Sequence, residues 1–554
     1  MKVCSASLRR MIASSLILAF TIIPIPSAIA QESIASSDGI EGLPLSPTER
    51  AQQDGTALLL SLTEFTKLVL QNNLDIAIQD TNEENRRQAL ISAYGAYDPT
   101  LRLNTSISSR RSVSTSQFDT SLGGGNTTSD SFSYGLTFTQ PLKTGGSLSI
   151  THNPNRSATN SNMSTMNPSY SGSLQVQFTQ SLWRNLRVDN TRNQIKLANL
   201  NIELNDIQFK QSVTTTIANA QTRYWSLVSA IRNYEIQRRA VELAMINLRD
   251  QRRRLEVGTI PPIDVTTAEA SVTSRELSMI QAEDQIIQAQ NNLRQLVSSD
   301  RNSDIWRKVI VPTDLPDFVE YKIESDTAVA IALQNRSELE ESRNNLAQLD
   351  LQNKLSRESK KWAIDLTSSF QLSGTAGQVL EQWSGNYKPS MVGGLPTYYK
   401  VMFSDPGTNW SVGFNITVPL KNRQLSATLA QQEIQKRQQL MRQRQTEQNI
   451  QVEVMNAIQS LESSRRQITA AEVARRVAEE QLDGEIKRND AGLSQNYRVL
   501  EVQQQLSNQE YQLLQAQISY KQAIITLQRT MNNLLEASDF SVAKGSSLNI
   551  PNFE

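Results

Sequence analysis

Val257-Gly258-Thr259 and Ala491-Gly492-Leu493-Ser494 are the two stretches on which the reading of this chain turns. Residues 186–257 contain neither glycine nor proline, and the same holds for residues 420–483. At 1.5 Å per residue, such runs give ~100 Å of helix, far longer than an ordinary domain is wide. Glycine takes positive φ without steric penalty, so each stretch reads as the turn of a helical hairpin. The tips fall at 257–263 and 490–497, and each is followed by a second helix. The chain thus states one pattern twice, which marks a repeat architecture whose copies pack side by side.

The helices carry a seven-residue apolar series. Ala220, Leu227, Tyr234, Val241, Leu248 and Leu255 form one, and Val499, Leu506, Leu513, Tyr520, Leu527 and Leu534 form another. Strict heptads predict supercoiled helix packing. Gln, Asn, Arg and Glu crowd the other positions, so the opposite faces meet water. Shorter helices are expected over 63–93, 265–297, 327–361 and 498–536. Two of these end to end match one long helix.

Between the helices the period changes to two. Phe132, Tyr134, Leu136 and Phe138 share one face, and Ser131, Ser133, Thr137 and Thr139 share the other. Trp410, Val412, Phe414, Ile416 and Val418 repeat the pattern, as do Leu174, Val176 and Phe178. Strands are expected at 101–108, 131–140, 147–152 and 170–180 in the first copy, and at 364–373 and 409–418 in the second. These segments approach the ~9–11 residues that cross a bilayer as a tilted strand. An antiparallel sheet over a soluble core would alternate in the same way. The helices offer no such core. Long polar stretches at 110–130, 153–169 and 374–408 against the tight turn at 141–146 have the loop asymmetry of an outer-membrane barrel.

Residues 1–30 read as a secretory signal peptide: Lys2, Arg9 and Arg10, then the apolar run 11–23, then Ala28-Ile29-Ala30 as cleavage site. Residues 31–60, with Gly42, Pro44, Pro47 and Gly55, read as a flexible leader. The single cysteine, Cys4, lies in the segment to be removed, so no disulfide or Cys metal site is expected. With 55 basic and 55 acidic residues, nothing favours nucleic acid as a partner. His152 is the only histidine and sits at the end of an expected strand, so neither a His-based triad nor a His-cluster metal site is expected. Gly123-Gly124-Gly125 lacks the Lys and Ser/Thr of a phosphate-binding loop. No catalytic residue, metal site or cofactor is expected.

Further residues carry a family likeness. Leu62-Thr63-Glu64, Leu70-Gln71-Asn72-Asn73 and Tyr97-Asp98-Pro99 lead into the first strand. Ala332-Leu333-Gln334-Asn335 and Trp362-Ala363-Ile364 answer them in the second copy. Together with Phe178-Thr179-Gln180-Ser181-Leu182, Ile416-Thr417-Val418-Pro419-Leu420 and the two glycine turns, this order resembles TolC-like outer-membrane efflux proteins, the outer membrane factor family. The resemblance covers roughly residues 60–540. It implies an α+β membrane protein built from a tandem repeat of long coiled-coil helical hairpins plus β-strands. Three copies would form an α-barrel tunnel joined to an outer-membrane β-barrel. The repeats are expected at 61–322 and 323–540, with a tail at 541–554, and a mixed belt would be supplied by 298–323 and the segment after Glu536.

The same resemblance implies a homotrimer in outer-membrane lipid, with a long periplasmic portion. It would serve as the passive exit duct of a tripartite efflux or type I secretion system. A periplasmic adaptor would dock at Val257, Gly258, Thr259, Ala491, Gly492, Leu493 and Ser494, and through it an inner-membrane transporter would couple. Relatives carry acidic gate residues six and nine positions after the second-copy glycine, where this chain has Arg498 and Glu501. The first copy has Asp264 and Thr267 there. A pairing of Arg498 with Glu501 or Asp264 would replace the acidic ring. Where some relatives have a locking arginine, this chain has Ser494, so a different lock is expected.

Two other readings remain, a stand-alone porin or adhesin and an envelope-spanning structural coiled-coil protein. Each leaves half of the chain unexplained. The family usually contributes two strands per copy, twelve per trimer. The echo of Thr137-Phe138-Thr139-Gln140-Pro141-Leu142 in Gln177-Phe178-Thr179-Gln180-Ser181-Leu182 suggests an inserted hairpin in the first copy. The insertion would make roughly eighteen strands if it joins the wall, or leave twelve if it folds outside the membrane.

Overall fold

The computed structural model describes residues 44–113, 126–161, 164–379 and 388–537. The expected signal peptide, residues 31–43, the triglycine loop and the tail lie outside the described residues. Met1–Pro44 separates from Leu45–Glu554, and the latter is the unit described below.

Part of the expected leader is ordered. Helix α1, Pro47–Gln53, starts at Ser46, whose hydroxyl accepts from Glu49 N while Glu49 accepts from Ser46 N. Pro47 occupies the first helical turn, where its missing N–H costs nothing. Strand β1, Ala57–Leu60, pairs in parallel with β7, Val309–Pro312. Arg238 Nη1 meets Glu49 at 2.7 Å and Arg50 meets Glu283, so this segment is tied to the helices. Pro47, read as a mark of flexibility, serves here as a helix start, and Gly55, at φ +68°, as a turn.

The helices follow the duplicated plan. The first copy has α2 (Leu62–Asn72), α3 (Leu74–Tyr94), α4 (Asn190–Glu256) and α5 (Pro262–Val297). The second has α6 (Ser325–Asn335), α7 (Ser337–Ser359), α9 (Arg423–Asp490), α10 (Asn496–Thr530) and the short α11 (Leu534–Ala537). The helices expected at 63–93 and 327–361 are each broken in two, at Asn73 and at Arg336. Asn73 has extended backbone and caps α3 by accepting from Asp75 N and Ile76 N. Ala220, Leu227, Tyr234 and Val241 of the first heptad series are buried, as are Val499, Tyr520, Leu527 and Leu534 of the second. Tyr224 donates to Asp314 Oδ2 at 2.7 Å, and the same carboxylate accepts from Leu62 N, fixing α4 to the belt around β1 and β7. Burial pushes the Tyr224 hydroxyl well above its usual range.

Seven strands form one antiparallel sheet: β2 (Thr100–Val113), β3 (Asn126–Pro141), β4 (Gly146–His152), β5 (Asn155–Thr159), β6 (Met166–Ser181), β8 (Ala363–Val379) and β9 (Gly407–Thr417). All of the expected strands exist, most of them longer at the end remote from the helices. The order is β2-β3-β4-β6-β8-β9, and β5 continues β4 between β3 and β6. Pro154 and Asn153 interrupt that strand without breaking the ladder. Tyr134 N donates to Pro154 O at 3.2 Å, and Asn153 N donates to Ser173 O at 3.1 Å.

Register aligns the two faces across every strand. Leu101, Phe138, Ile150, Val176, Phe370 and Trp410 stand side by side in one row. The next row on the opposite face is Arg102, Thr137, Thr151, Gln175, Gln371 and Asn409. Much of the apolar face is bare: Leu101 is 68% exposed and Trp410 73%. One part is covered. The stretch 374–408, expected as an external loop, contains the end of β8 and helix α8, Leu395–Ser404. This helix lies on the apolar face over the cross-strand pair Gly172 and Gly374, with Tyr398 and Met402 buried. A Cβ at Gly172 would come within 2.7 Å of Tyr398 Oη, and one at Gly374 within 2.8 Å of Met402 Cβ. Beside it, the Tyr399 hydroxyl bonds that of Tyr134 and lies 3.2 Å from His152 Nε2.

Candidate functional site

Both long helices end in the same way. At the first tip Gly258 has φ +77°, Gly258 N donates to Leu255 O, and Thr259 N reaches back to Arg254 O at 2.9 Å. At the second, Gly492 has φ +73°, Gly492 N donates to Asn489 O, and Leu493 N reaches Arg488 O at 2.9 Å. This six-to-one closure satisfies carbonyls that a helix end would otherwise leave open, and it places glycine at the left-handed position. Nothing lies within 4 Å of a Cβ added at either glycine, so the requirement is one of backbone conformation alone. The turns thrust Val257 (79% exposed) and Leu493 (74% exposed) into solvent, beside the exposed Thr259 and Ala491. Ser494 is held back: its hydroxyl bonds Glu485, and its carbonyl accepts from Asn489 Nδ2 at 3.0 Å.

The two tips are joined to one another. Arg254 of α4 donates to Asp490 Oδ1 at 3.0 Å and to Asn489 Oδ1 at 3.2 Å, both at the end of α9. About two helical turns away along α4, Asn247 and Asn496 exchange amide hydrogen bonds at 2.8 and 3.2 Å. Arg275 of α5 is buried at the same end, with Nη2 3.5 Å from Leu500 O, and burial lowers its pKa. Sequence reasoning found the turns and missed these bridges. Asn489-Asp490 precedes the second glycine in plain view, but its partner lies on the other repeat and no local pattern announces it.

Of the candidate gate residues, Arg498 donates to Glu501 Oε2 at 2.7 Å, with both side chains more than half exposed. Both sit on α10, three residues apart. Asp264 is half-buried in the first turn of α5, and its backbone N–H closes on Pro261 O. The pairing that sequence left open therefore falls to Glu501 within one helix. Further along, a cleft of about 770 Å³ lies between α4, α9, α10 and residues 315–317. Arg232, Arg239, Arg475 and Arg476 alternate there with Glu235, Glu472 and Glu510, so it presents no field of single sign. Burial raises the pKa of Glu510, against the pull of Arg239 3.7 Å away. Among the described residues no cluster of three or more His, Cys, Asp or Glu could hold a metal ion, and no helix is long and apolar enough to cross a membrane.

The fold has close counterparts among solved structures. The Campylobacter jejuni outer membrane channel CmeC aligns with a TM-score of 0.61 at 17% identity, over 85% of this chain and 86% of that one. The transmembrane channel CusC aligns at 0.61 and 15% identity, over 88% of this chain and 95% of its own. The Vibrio cholerae outer membrane protein VceC aligns at 0.58 and 15% identity, over 88% and 98%. At such identities these likenesses establish the fold. A search of curated protein sequences finds no match. The model of the outer membrane efflux protein family matches residues 147–299 and 328–533, well over half of the chain and both repeats. The chain belongs to the outer membrane efflux protein family.

Proposed function

We propose that three copies of this chain form a passive exit duct, a β-barrel in the outer membrane continued by a helical tunnel through the periplasm. The observation that carries this reading is the sheet. Toward the helices it is apolar on one face and hydroxyl- and amide-rich on the other, with Arg111, Asp130 and Arg156 joining the apolar face only toward the far end. Among the described residues its terminal strands β2 and β9 each keep an unpaired edge. Backbone groups cannot be left unpaired in lipid, so such a sheet must close on further copies. β2 leads away from the helices and β9 returns to them, so the two edges meet antiparallel, as the rest of the sheet does.

In this reading the tips point into the periplasm and Val257, Thr259, Ala491 and Leu493 meet an adaptor, through which an inner-membrane transporter supplies the energy for tripartite efflux or type I secretion. Arg254, Asp490, Asn247 and Asn496 serve as the latch between hairpins, in place of an arginine two residues after the glycine. The test is Gly492→Val. A β-branched residue at φ +73° costs roughly 1–2 kcal/mol, spent on reshaping the turn, since the added Cβ itself would meet nothing within 4 Å. Trimers that migrate with heat-modifiable mobility from purified outer membranes should survive, whereas adaptor copurification and export should be lost. Normal export would remove the tip from this account.

A further inference from the structure

Among the described residues, the first repeat carries two strands more than the second. α3 followed by β2 corresponds to α7 followed by β8, and β6 followed by α4 corresponds to β9 followed by α9. β3 and the kinked strand β4–β5 have no counterpart. Where they stand in the first repeat, the second has α8. The family match begins at residue 147, with β4, so β2 and β3 lie outside it.

A side-chain pattern shows where the extra pair came from. Gln140, at the end of β3, donates through Nε2 to Tyr97 O and Pro141 O, both at 2.8 Å. Gln180, at the end of β6, donates through Nε2 to Thr144 O and Ser181 O, both at 2.9 Å. Each glutamine thus binds the residue after it and a carbonyl just before the strand its own strand pairs with. Tyr97 precedes β2, and Thr144 precedes β4. The sequence echo is therefore a repeated hairpin with a repeated anchor at the same end of the sheet. The pair is not set aside from the sheet. β2 pairs with β3 over its whole length, and β4 and β5 pair with β3 and β6.

From this we propose that the duplicated hairpin is part of the membrane wall, so that the outer pore is an eighteen-stranded barrel, wider than the four-stranded repeat plan would give. The inference rests on the trimeric duct proposed above. Barrel diameter grows nearly linearly with strand number, so the lumen is roughly one and a half times as wide as that of twelve strands, a size that holds an aqueous channel. The extra strands present Ser131, Ser133, Thr137, Ser149 and Thr151 to that lumen and Phe132, Leu136, Phe138 and Ile150 to lipid, with Asp130 and Arg156 on the latter face toward the end remote from the helices. A wide wall of hydroxyls and amides suits bulky hydrophilic cargo, such as peptides or saccharides, and offers no selective site for small ions.

Disulfide pairing in the intact outer-membrane protein tests this directly, since the only native cysteine is Cys4. The pairs Ser108→Cys with Ser131→Cys and Ser149→Cys with Gln177→Cys join strands that are neighbours only if the hairpin is in the sheet. Both should close within heat-modifiable trimers. A pair that joins β2 directly to β6, Ser108→Cys with Ser171→Cys, should stay open. Closure of that pair with failure of the other two would overturn the eighteen-stranded wall. Closure of the first two in a protein that runs only as monomer would instead sink the trimeric duct. A second measurement reads width. Polyethylene glycols added from the extracellular side should enter the native lumen at sizes excluded from a Δ126–159 variant, in which β2 pairs with β6. Equal size cut-offs would overturn the wider pore.

Discussion

Arg498 and Arg254 are both arginines near a tip, both paired at 3.0 Å or less, and their expected effects differ. Arg498 pairs with Glu501 on its own helix, so losing the pair frees no element from another. Arg254 joins α4 to the end of α9, and its loss leaves the Asn247–Asn496 exchange and the longer Arg275–Leu500 contact to hold the hairpins at that end. Both arginines are at least a third exposed, and such pairs contribute about 1 kcal/mol or less. That is still enough to change the fraction of open pores severalfold. Single-channel recordings should therefore show more frequent or longer openings for Arg254→Ala and near-native behaviour for Arg498→Ala. The reverse order would return the gate to Arg498 and Glu501. Salt should weaken the native latch, because exposed charges are screened beyond a Debye length of roughly 8 Å at physiological ionic strength.

At the scale of elements, the long helices and the strands were legible because their signals are periodic and extended. Phe132 to Phe138 alternates over several residues, and a run without glycine or proline leaves few other structures open. The breaks at Asn73 and Arg336 were not legible, since neither residue is a helix breaker. Each gains more from tertiary partners than from continuing a helix. Asn73 accepts from two N–H groups of α3 and donates to Leu296 O at 3.0 Å, the last turn of α5. Arg336 reaches Glu338, Glu453 and Thr530 O. Helix α8 was hidden for a related reason, as its stability comes from Tyr398 and Met402 filling the space over two glycines far away in sequence. The tip turns were plain from their glycines, whereas the bridges between tips needed the other repeat in view. Asn73→Ala removes a cap, worth about 0.5–2 kcal/mol, and also strands a buried carbonyl. Helix melting followed by circular dichroism in detergent should show a lower midpoint. Asn73→Ser should recover part of the loss, because its hydroxyl can still accept from the N–H groups of α3. An unchanged midpoint for the alanine variant would mean that packing alone sets the break.

For the whole molecule, the distribution of charge separates the sheet from the helical tips. Among the paired residues of the described sheet, the polar face carries only Arg102 and Arg110 on β2 and Asp365 on β8, the last held by Ser181 Oγ at 2.7 Å. Repeated around the proposed trimer, the wall would be weakly basic, while Arg254, Asp490 and the Arg498–Glu501 pair gather charge at the helical tips. A charge on a wall acts on ions in the lumen only within a Debye length, about 30 Å at 10 mM salt and about 8 Å at 150 mM. In a barrel as wide as eighteen strands allow, the arginines should therefore bias permeation only in dilute salt. The variant combining Arg102→Ser and Arg110→Ser should move the reversal potential of reconstituted channels toward cations under a gradient centred near 10 mM potassium chloride. Near 150 mM the shift should fade, since the mid-lumen then lies beyond the reach of the wall. A shift that persisted undiminished at the higher salt would place the arginines beside a constriction, which the neutral rows of serine, threonine and glutamine around them do not form.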